Sequence, residues 1–337
     1  MRVWASPLGG YPRSRVVRRA LRDYERGLLS YGELERVIGE SSALIIGAQL
    51  SSGMAYVVDG MLDWHDIFRP FVESWRNVTA TGLLRYFDNN FFYRIPHFIG
   101  EPEATKLVWA PRVRKYAQLV EPAGLKVVVP GPVTFALMSS RGFESTVEEL
   151  ASAIAKLLAN EVKYAVEAGA SMVQIDEPIL ADPDASRDDA LLAVELANLI
   201  AKAAGGAKTV LALYFDVPRP DIYDALLNAK VNCISLDIVD APGRALKLVE
   251  SKGFGGHCGV LGLINSRTIY DDPLVELEEL ASKLAKLSGG DELGITTTTW
   301  LDLIPFKYSL KKTRLLGLLT SRLAEKFGWE LVEGGEV

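Results

Sequence analysis

Val173-Gln174-Ile175-Asp176-Glu177-Pro178-Ile179-Leu180 is the stretch from which the fold is read. A short apolar run closes on two adjacent carboxylates and a proline. That is the pattern of a buried strand that delivers polar groups where the chain turns. Pro178 has no N–H for a sheet ladder, so the strand stops near Glu177. Asp and Glu are seldom buried without a partner, so these two need cations, donors or a ligand. Either they serve a site, or they cap loop amides or pair with a nearby arginine.

Outward from this strand the same alternation repeats. Apolar strands are expected over 125–129, 209–215, 232–239, 256–264 and 293–299. Helical patterns stand between or after them at 146–169, 187–204, 222–229, 245–252, 273–287 and 310–327. Such alternation implies parallel strands joined by crossover helices. Towards the N-terminus, helices are expected up to about residue 26 and over 31–53 and 103–119, with a strand-like run at 54–62. Counting strands near Trp4 and Val57 gives eight in all. The expected architecture is therefore α/β: a single (β/α)8 TIM-type barrel over 1–337 with an N-terminal helical segment. Residues 83–100 carry Tyr86, Phe87, Phe91, Phe92, Tyr93 and Phe98 around Asp88-Asn89-Asn90, which reads as an inserted aromatic hairpin with its turn. No G-x-G-x-x-G or P-loop argues for an open nucleotide-binding sheet.

Composition excludes several classes. A hydrophobic share of 49% with 24% charged residues describes an ordinary globular chain, and a net charge of −6 argues against a dedicated nucleic-acid binder. Cys233 and Cys258 are too few for a disulfide framework and suit a reducing compartment. The N-terminus has no signal-peptide core, and no uncharged run approaches the roughly 18 residues that span a bilayer. The expectation is a cytoplasmic protein without a membrane or nucleic-acid partner.

In such a barrel the working face lies at the strand C-terminal ends. Those ends carry Asp59, Asp176, Glu177, Tyr214 and Asp237, with hydroxyls at 298–299. This acidic mouth suits a small zwitterion or amine held by carboxylates. Asp176, Glu177 and Asp237 are the candidate acid–base groups, with Asp59 and Tyr214 as substrate contacts. Arg13, Arg15, Arg18, Arg19 and Arg22 follow a glycine turn, and the last four share one helical face. They form either an anion cradle or a solvated basic face. His65 reads as a structural hydrogen-bonder. Cys233 and His257-Cys258 fall at the opposite ends of their strands, and adjacent strand residues cannot both point inward. No zinc site is expected from them, and no elbow motif supports a serine nucleophile.

Gly10-Tyr11-Pro12-Arg13, Arg85-Tyr86-Phe87-Asp88-Asn89-Asn90-Phe91-Phe92-Tyr93, Pro130-Gly131-Pro132-Val133-Thr134-Phe135 and Gln174-Ile175-Asp176-Glu177-Pro178 together resemble cobalamin-independent methionine synthase, and within it the N-terminal half of that two-barrel enzyme. The full enzyme moves a methyl group from 5-methyltetrahydrofolate polyglutamate to homocysteine, with zinc in the C-terminal barrel. The N-terminal half helps to hold the folate tail. By that resemblance Arg15, Arg18 and Arg85 are the tail-binding positions. The Asp176-Glu177 pair is similar to a motif of both halves, whose Asp holds the homocysteine amino group in the catalytic half. Where that half places His, Cys, Glu and Cys, this chain offers Ala212, Tyr214, Asp237 and Thr299. The resemblance implies a stand-alone barrel that binds a folate polyglutamate as co-substrate. It would act beside a separate zinc-bearing barrel protein in methionine biosynthesis, with no tightly bound cofactor of its own. An independent zinc-free methyltransferase, an acid–base lyase-like barrel and a non-catalytic ligand-binding module are the alternatives, so activity of this chain alone is left open.

Overall fold

Strands buried on both faces and amphipathic helices alternate along this chain, and in the computed structural model they curl into a barrel. It describes residues 1–333 except 88 and 90. The first half runs β1 (Arg2–Ala5), α1 (Arg15–Glu25), α2 (Tyr31–Leu50), β2 (Tyr56–Val57), α3 (Arg69–Val72), β3 (Trp75–Arg85), β4 (Phe92–Ala104), α4 (Trp109–Tyr116), β5 (Gly124–Pro130), α5 (Pro132–Leu137) and β6 (Ser140–Arg141). The second runs α6 (Val147–Glu167), β7 (Ala170–Asp176), α7 (Arg187–Ala203), β8 (Lys208–Ala212), α8 (Pro220–Leu226), β9 (Cys233–Asp237), α9 (Pro242–Lys252), β10 (Cys258–Ile264), α10 (Leu274–Ala285), β11 (Glu292–Thr297), α11 (Phe306–Phe327) and β12 (Glu330–Leu331).

The main sheet is parallel in the order β12-β1-β11-β10-β9-β8-β7-β5-β2. The amide of Ala55 donates to the carbonyl of Ala5 at 3.0 Å, which brings the β2 edge back to β1 and closes the ring. β12 pairs with Arg2 and Val3 below that junction. Side-chain alternation sorts each strand into two cores. Met172 joins Trp4, Tyr56, Val210, Cys233 and Val260 inside the barrel, while Val173 and Ile175 pack outward in the larger core that the helices share. No helix among the described residues is long and apolar enough to cross a membrane.

The eight expected barrel strands are present, and their boundaries differ for local reasons. The run at 54–62 yields only Tyr56–Val57, because Gly60 and Met61 have φ of 93° and 49° and the Asp59 carboxylate accepts the Met61 amide at 2.9 Å. Gln49 then serves Val58 as a neighbouring strand would, accepting its N–H at 2.9 Å and donating to its carbonyl at 2.8 Å. The helix expected over 103–119 begins only at Trp109. Residues 103 and 104 still pair with Arg76 and Trp75 across the hairpin, and the Glu161 carboxylate of α6 accepts the amides of Val108 and Trp109 where α4 starts. The hairpin is accordingly longer than the expected 83–100, spanning β3 to β4. Asn89 accepts the Phe91 amide at 2.7 Å, while residues 88 and 90 of the expected turn lie outside those described.

Candidate functional site

Asp176 is the last residue of β7 and points into the barrel, in step with Met172 and Gln174. Its carboxylate accepts from Gln174 Nε2 at 2.7 Å, Tyr214 OH at 3.0 Å and Trp300 Nε1 at 3.0 Å. Below it, Lys126 of β5 donates to Gln174 Oε1 at 2.9 Å, to Leu8 O at 3.2 Å and to Pro7 O. Above it, the Tyr214 and Tyr86 hydroxyls stand 3.4 Å apart. A buried polar chain therefore climbs from Lys126 through Gln174, Asp176 and Tyr214 to the hairpin. Burial pushes the Asp176 carboxyl up to about 6, against its three hydrogen bonds and the charge of Lys126. Burial likewise pulls the Lys126 ammonium down to about 7.

Glu177 faces the other way. Its carboxylate accepts the amides of Val133 at 3.0 Å and Thr134 at 2.8 Å and the Thr134 hydroxyl at 2.6 Å, which caps the first turn of α5. The amide-capping alternative thus describes Glu177, and a mouth position describes Asp176. Asp59, expected among the substrate contacts, is held by Arg112 of α4 at 3.0 Å, and the same guanidinium also grips Asp63. Arg112 went unnoticed in the sequence because its partners lie 49 and 53 residues away.

Asp237 ends β9. One carboxylate oxygen accepts the amides of Val239 at 2.9 Å and Asp240 at 3.0 Å, while Oδ2 is buried with no partner among the described residues. Burial, then the charge of Asp240, raises this carboxyl well above the ordinary 3.8. A folded value above the unfolded one means that stability is fully present below pH 3.8 and is lost as pH rises through the folded value. Asp237→Asn resembles the protonated group. We expect the variant to gain on the wild type as pH rises, by at most about 1.4 kcal/mol per pH unit. Urea melts at pH 5 and 8 read this directly, and equal differences at both would show that Asp237 is ionised throughout.

Over the DEP corner the hairpin and the strand ends form a mouth lined by Ile67, Tyr86, Phe91, Tyr214, Trp300 and Asp302, among others. Beside it, on the loops after β1 and β2, lies an open depression of about 420 Å³ lined by Arg13, Arg15, Arg18, Leu21, Arg22, Glu25 and His65. Arg13 is anchored to the carbonyls of Leu62, at 2.8 Å, and Trp64. Arg15, Arg18 and Arg22 are exposed on α1, whose Ser14 caps the Val17 amide. Burial, then Arg13 and Arg69, lowers the His65 imidazole below 6.5. Arg85 is exposed at the end of β3 and is not among the residues lining this depression.

The donors at the four positions matching the zinc ligands of the catalytic half do not fit zinc. Ala212 has no donor, Tyr214 and Thr299 carry neutral hydroxyls, the former given to Asp176, and Asp237 alone supplies a carboxylate, one oxygen of which accepts two amides. Cys233 and Cys258 pair side by side at the starts of β9 and β10, and both His257 nitrogens face carbonyls, those of Val231 and Leu227. Among the described residues no three His, Cys, Asp or Glu side chains gather as a metal would need.

Fold and mouth together define a TIM-type barrel with an aromatic hairpin over an Asp–Glu–Pro strand end. Residues 69–289 match the N-terminal domain of the cobalamin-independent synthase family, and the chain belongs to that family. The 5-methyltetrahydropteroyltriglutamate–homocysteine methyltransferase of Bacillus subtilis (strain 168) is 26% identical over 249 residues, 73% of this chain and 32% of that protein. The chain therefore spans about a third of the length of that relative, whereas it covers 81% of the methionine synthase of Saccharolobus islandicus (strain L.S.2.15 / Lassen #1), at 24% identity over 83% of its own residues. Its fold is that of a B12-independent methionine synthase from Shewanella sp. W3-18-1, solved with selenomethionine, with a TM-score of 0.81 and 17% identity over 96% of this chain and 98% of that one.

Proposed function

We propose that this barrel holds the anionic tail of a folate polyglutamate in the α1 depression. It would act beside a separate zinc-bearing barrel of its family in methyl transfer from 5-methyltetrahydrofolate to homocysteine, a cytoplasmic step of methionine biosynthesis. The observation that carries the reading is the depression itself: Arg13, Arg15, Arg18 and Arg22 line it with His65, and Glu25 is the acid on that lining. Guanidinium groups bind carboxylates in a fork geometry, and a γ-linked glutamate tail presents several carboxylates in a row. Arg15 and Arg18 take the tail, and Arg85 contacts the same ligand from the hairpin side. Asp176 orients Tyr214 and Trp300 at the mouth floor. The name of the Bacillus relative includes both the triglutamate and homocysteine, which supports the substrate class. The lack of imidazole or thiolate at Ala212, Tyr214 and Thr299 is the reason for assigning thiolate activation to another chain, since a free thiol near pKa 8.5 is mostly protonated at pH 7.

Calorimetric titration with 5-methyltetrahydropteroyl triglutamate and monoglutamate tests this. We expect the triglutamate to bind more tightly, and Arg15→Ala/Arg18→Ala to weaken it about tenfold while the monoglutamate is unaffected. Equal affinity for both folates, or no change in the double variant, would overturn the tail site. A purified zinc-bearing barrel whose rate is indifferent to this chain would overturn the division of labour.

A further inference from the structure

The mouth cavity has a chemistry that tail binding does not use. Its walls are aromatic rings meeting at nearly right angles. Tyr86 stands at 78° to both Phe91 and Phe215, and Tyr214 at 81° to Phe215. Trp300 adds a further wall. The backbone of Gly9 and Gly10 lies against its indole, where a Cβ on Gly9 would come within 2.2 Å of Nε1, and the indole also lines the cavity.

Asp302 is the charged group on this lining. It is half-buried, and among the described residues no basic side chain hydrogen-bonds to it. Arg13 acts on it only through space, its Nε and Nη2 donating to the carbonyls of Leu62 and Trp64. Burial pushes the Asp302 carboxyl up to about 7, against the charge of Arg13, and the nearest cation on the rings is Arg267, 5.6 Å from the Phe215 centroid. Asp176 adds a second negative centre just behind Tyr214 and Trp300. An anion would meet two carboxylates here, and a neutral apolar group would leave Asp302 desolvated and unpaired. Ring faces and a carboxylate both attract a cation. The enclosed part of the cavity is small, about 20 Å³, on the scale of one small head group.

We infer that this aromatic box binds the ammonium or N-methylammonium head of a small organic cation, against the Tyr86, Phe91 and Trp300 rings and paired with Asp302. The site is distinct from the arginine depression and stands or falls without the folate reading. The amine expected at the mouth from the sequence is thereby moved from Asp176, whose oxygens are occupied, to Asp302 and the rings.

The test is ligand-observed NMR on the full chain at pH 8 with methylammonium chloride as the probe. Methanol serves as the neutral molecule of matching size and acetate as the anion. Methylammonium is expected to bind and the other two not. Asp302→Asn should weaken it about tenfold. Phe91→Leu, which keeps an apolar wall and removes the ring, should weaken it severalfold. Phe91 lies at the hairpin end, so its variant carries the test if Asp302→Asn lowers the melting temperature. Arg15→Ala/Arg18→Ala should leave methylammonium binding as it is, and a loss there would place the cation elsewhere. Equal binding of methanol, or folded Asp302→Asn and Phe91→Leu chains with wild-type affinity, would overturn the inference.

Discussion

Replacing Gly131 by alanine is expected to cost about 3–5 kcal/mol of stability, a large share of the total for a domain of this kind. A Cβ at residue 131 would lie 2.0 Å from the Cδ of Glu177 and 2.4 Å from its Oε1. The carboxylate cannot yield cheaply, because three donors from Val133 and Thr134 hold it where it is. Forcing it aside combines overpacking with buried amides left unpaired, each worth about 1–3 kcal/mol. Urea denaturation of Gly131→Ala beside Gly131→Ala/Glu177→Ala checks the cause. The second change removes the clashing atoms, so the double variant should be less unstable than the two single costs added together. Strict additivity would mean that the two residues do not press on each other.

Arg112→Leu has a comparable expected cost, about 3–5 kcal/mol, the usual result of stripping the partner from buried charge. Arg112 stands between Asp59 and Asp63 and lies 5.9 Å from the Trp64 ring centroid, so leucine keeps the bulk and removes both ion pairs. Asp59 is fully buried and its carboxyl is already raised by burial before Arg112 pulls it back. Without the guanidinium one carboxylate must take up a proton. Asp59→Asn in the same chain should recover a large part of the loss. A double-mutant cycle measures that recovery, and no recovery would mean that Arg112 acts through packing alone. The cluster also joins α4 to the loop after β2, which carries the Trp64 and Leu62 carbonyls that anchor Arg13. Loss of Arg112 should therefore weaken the α1 depression as well as the fold.

Side-chain alternation separates what was legible at the DEP corner from what was not. The rule that keeps His257 and Cys258 from pointing the same way applies equally to Asp176 and Glu177. Read that way, the sequence already divides the pair into one inward and one outward acid. What it could not supply was the outward partner, since the α5 amides lie 43 and 44 residues away and α5 itself is a six-residue helix behind a proline with no periodic signal. Gln49 and Glu161 are similar cases. Each is an ordinary polar residue on a helix until the fold sets it against an unpaired stretch of backbone.

The sequence by itself determined the barrel, because its strands are short, apolar and separated by amphipathic helices, and that periodicity is a local property of the chain. It also determined that Ala212, Tyr214, Asp237 and Thr299 bring neither imidazole nor thiol to the strand ends, since residue type alone decides that. Only the tertiary structure decided which carboxylates are spent and which are available. Glu177 and Asp59 are consumed by amides and by Arg112, Asp176 is locked between Gln174, Tyr214 and Trp300, and Asp302 is left facing a box of rings. A carboxylate's role depends on the donors within about 3 Å of it, and here most of those come from residues far away in the chain.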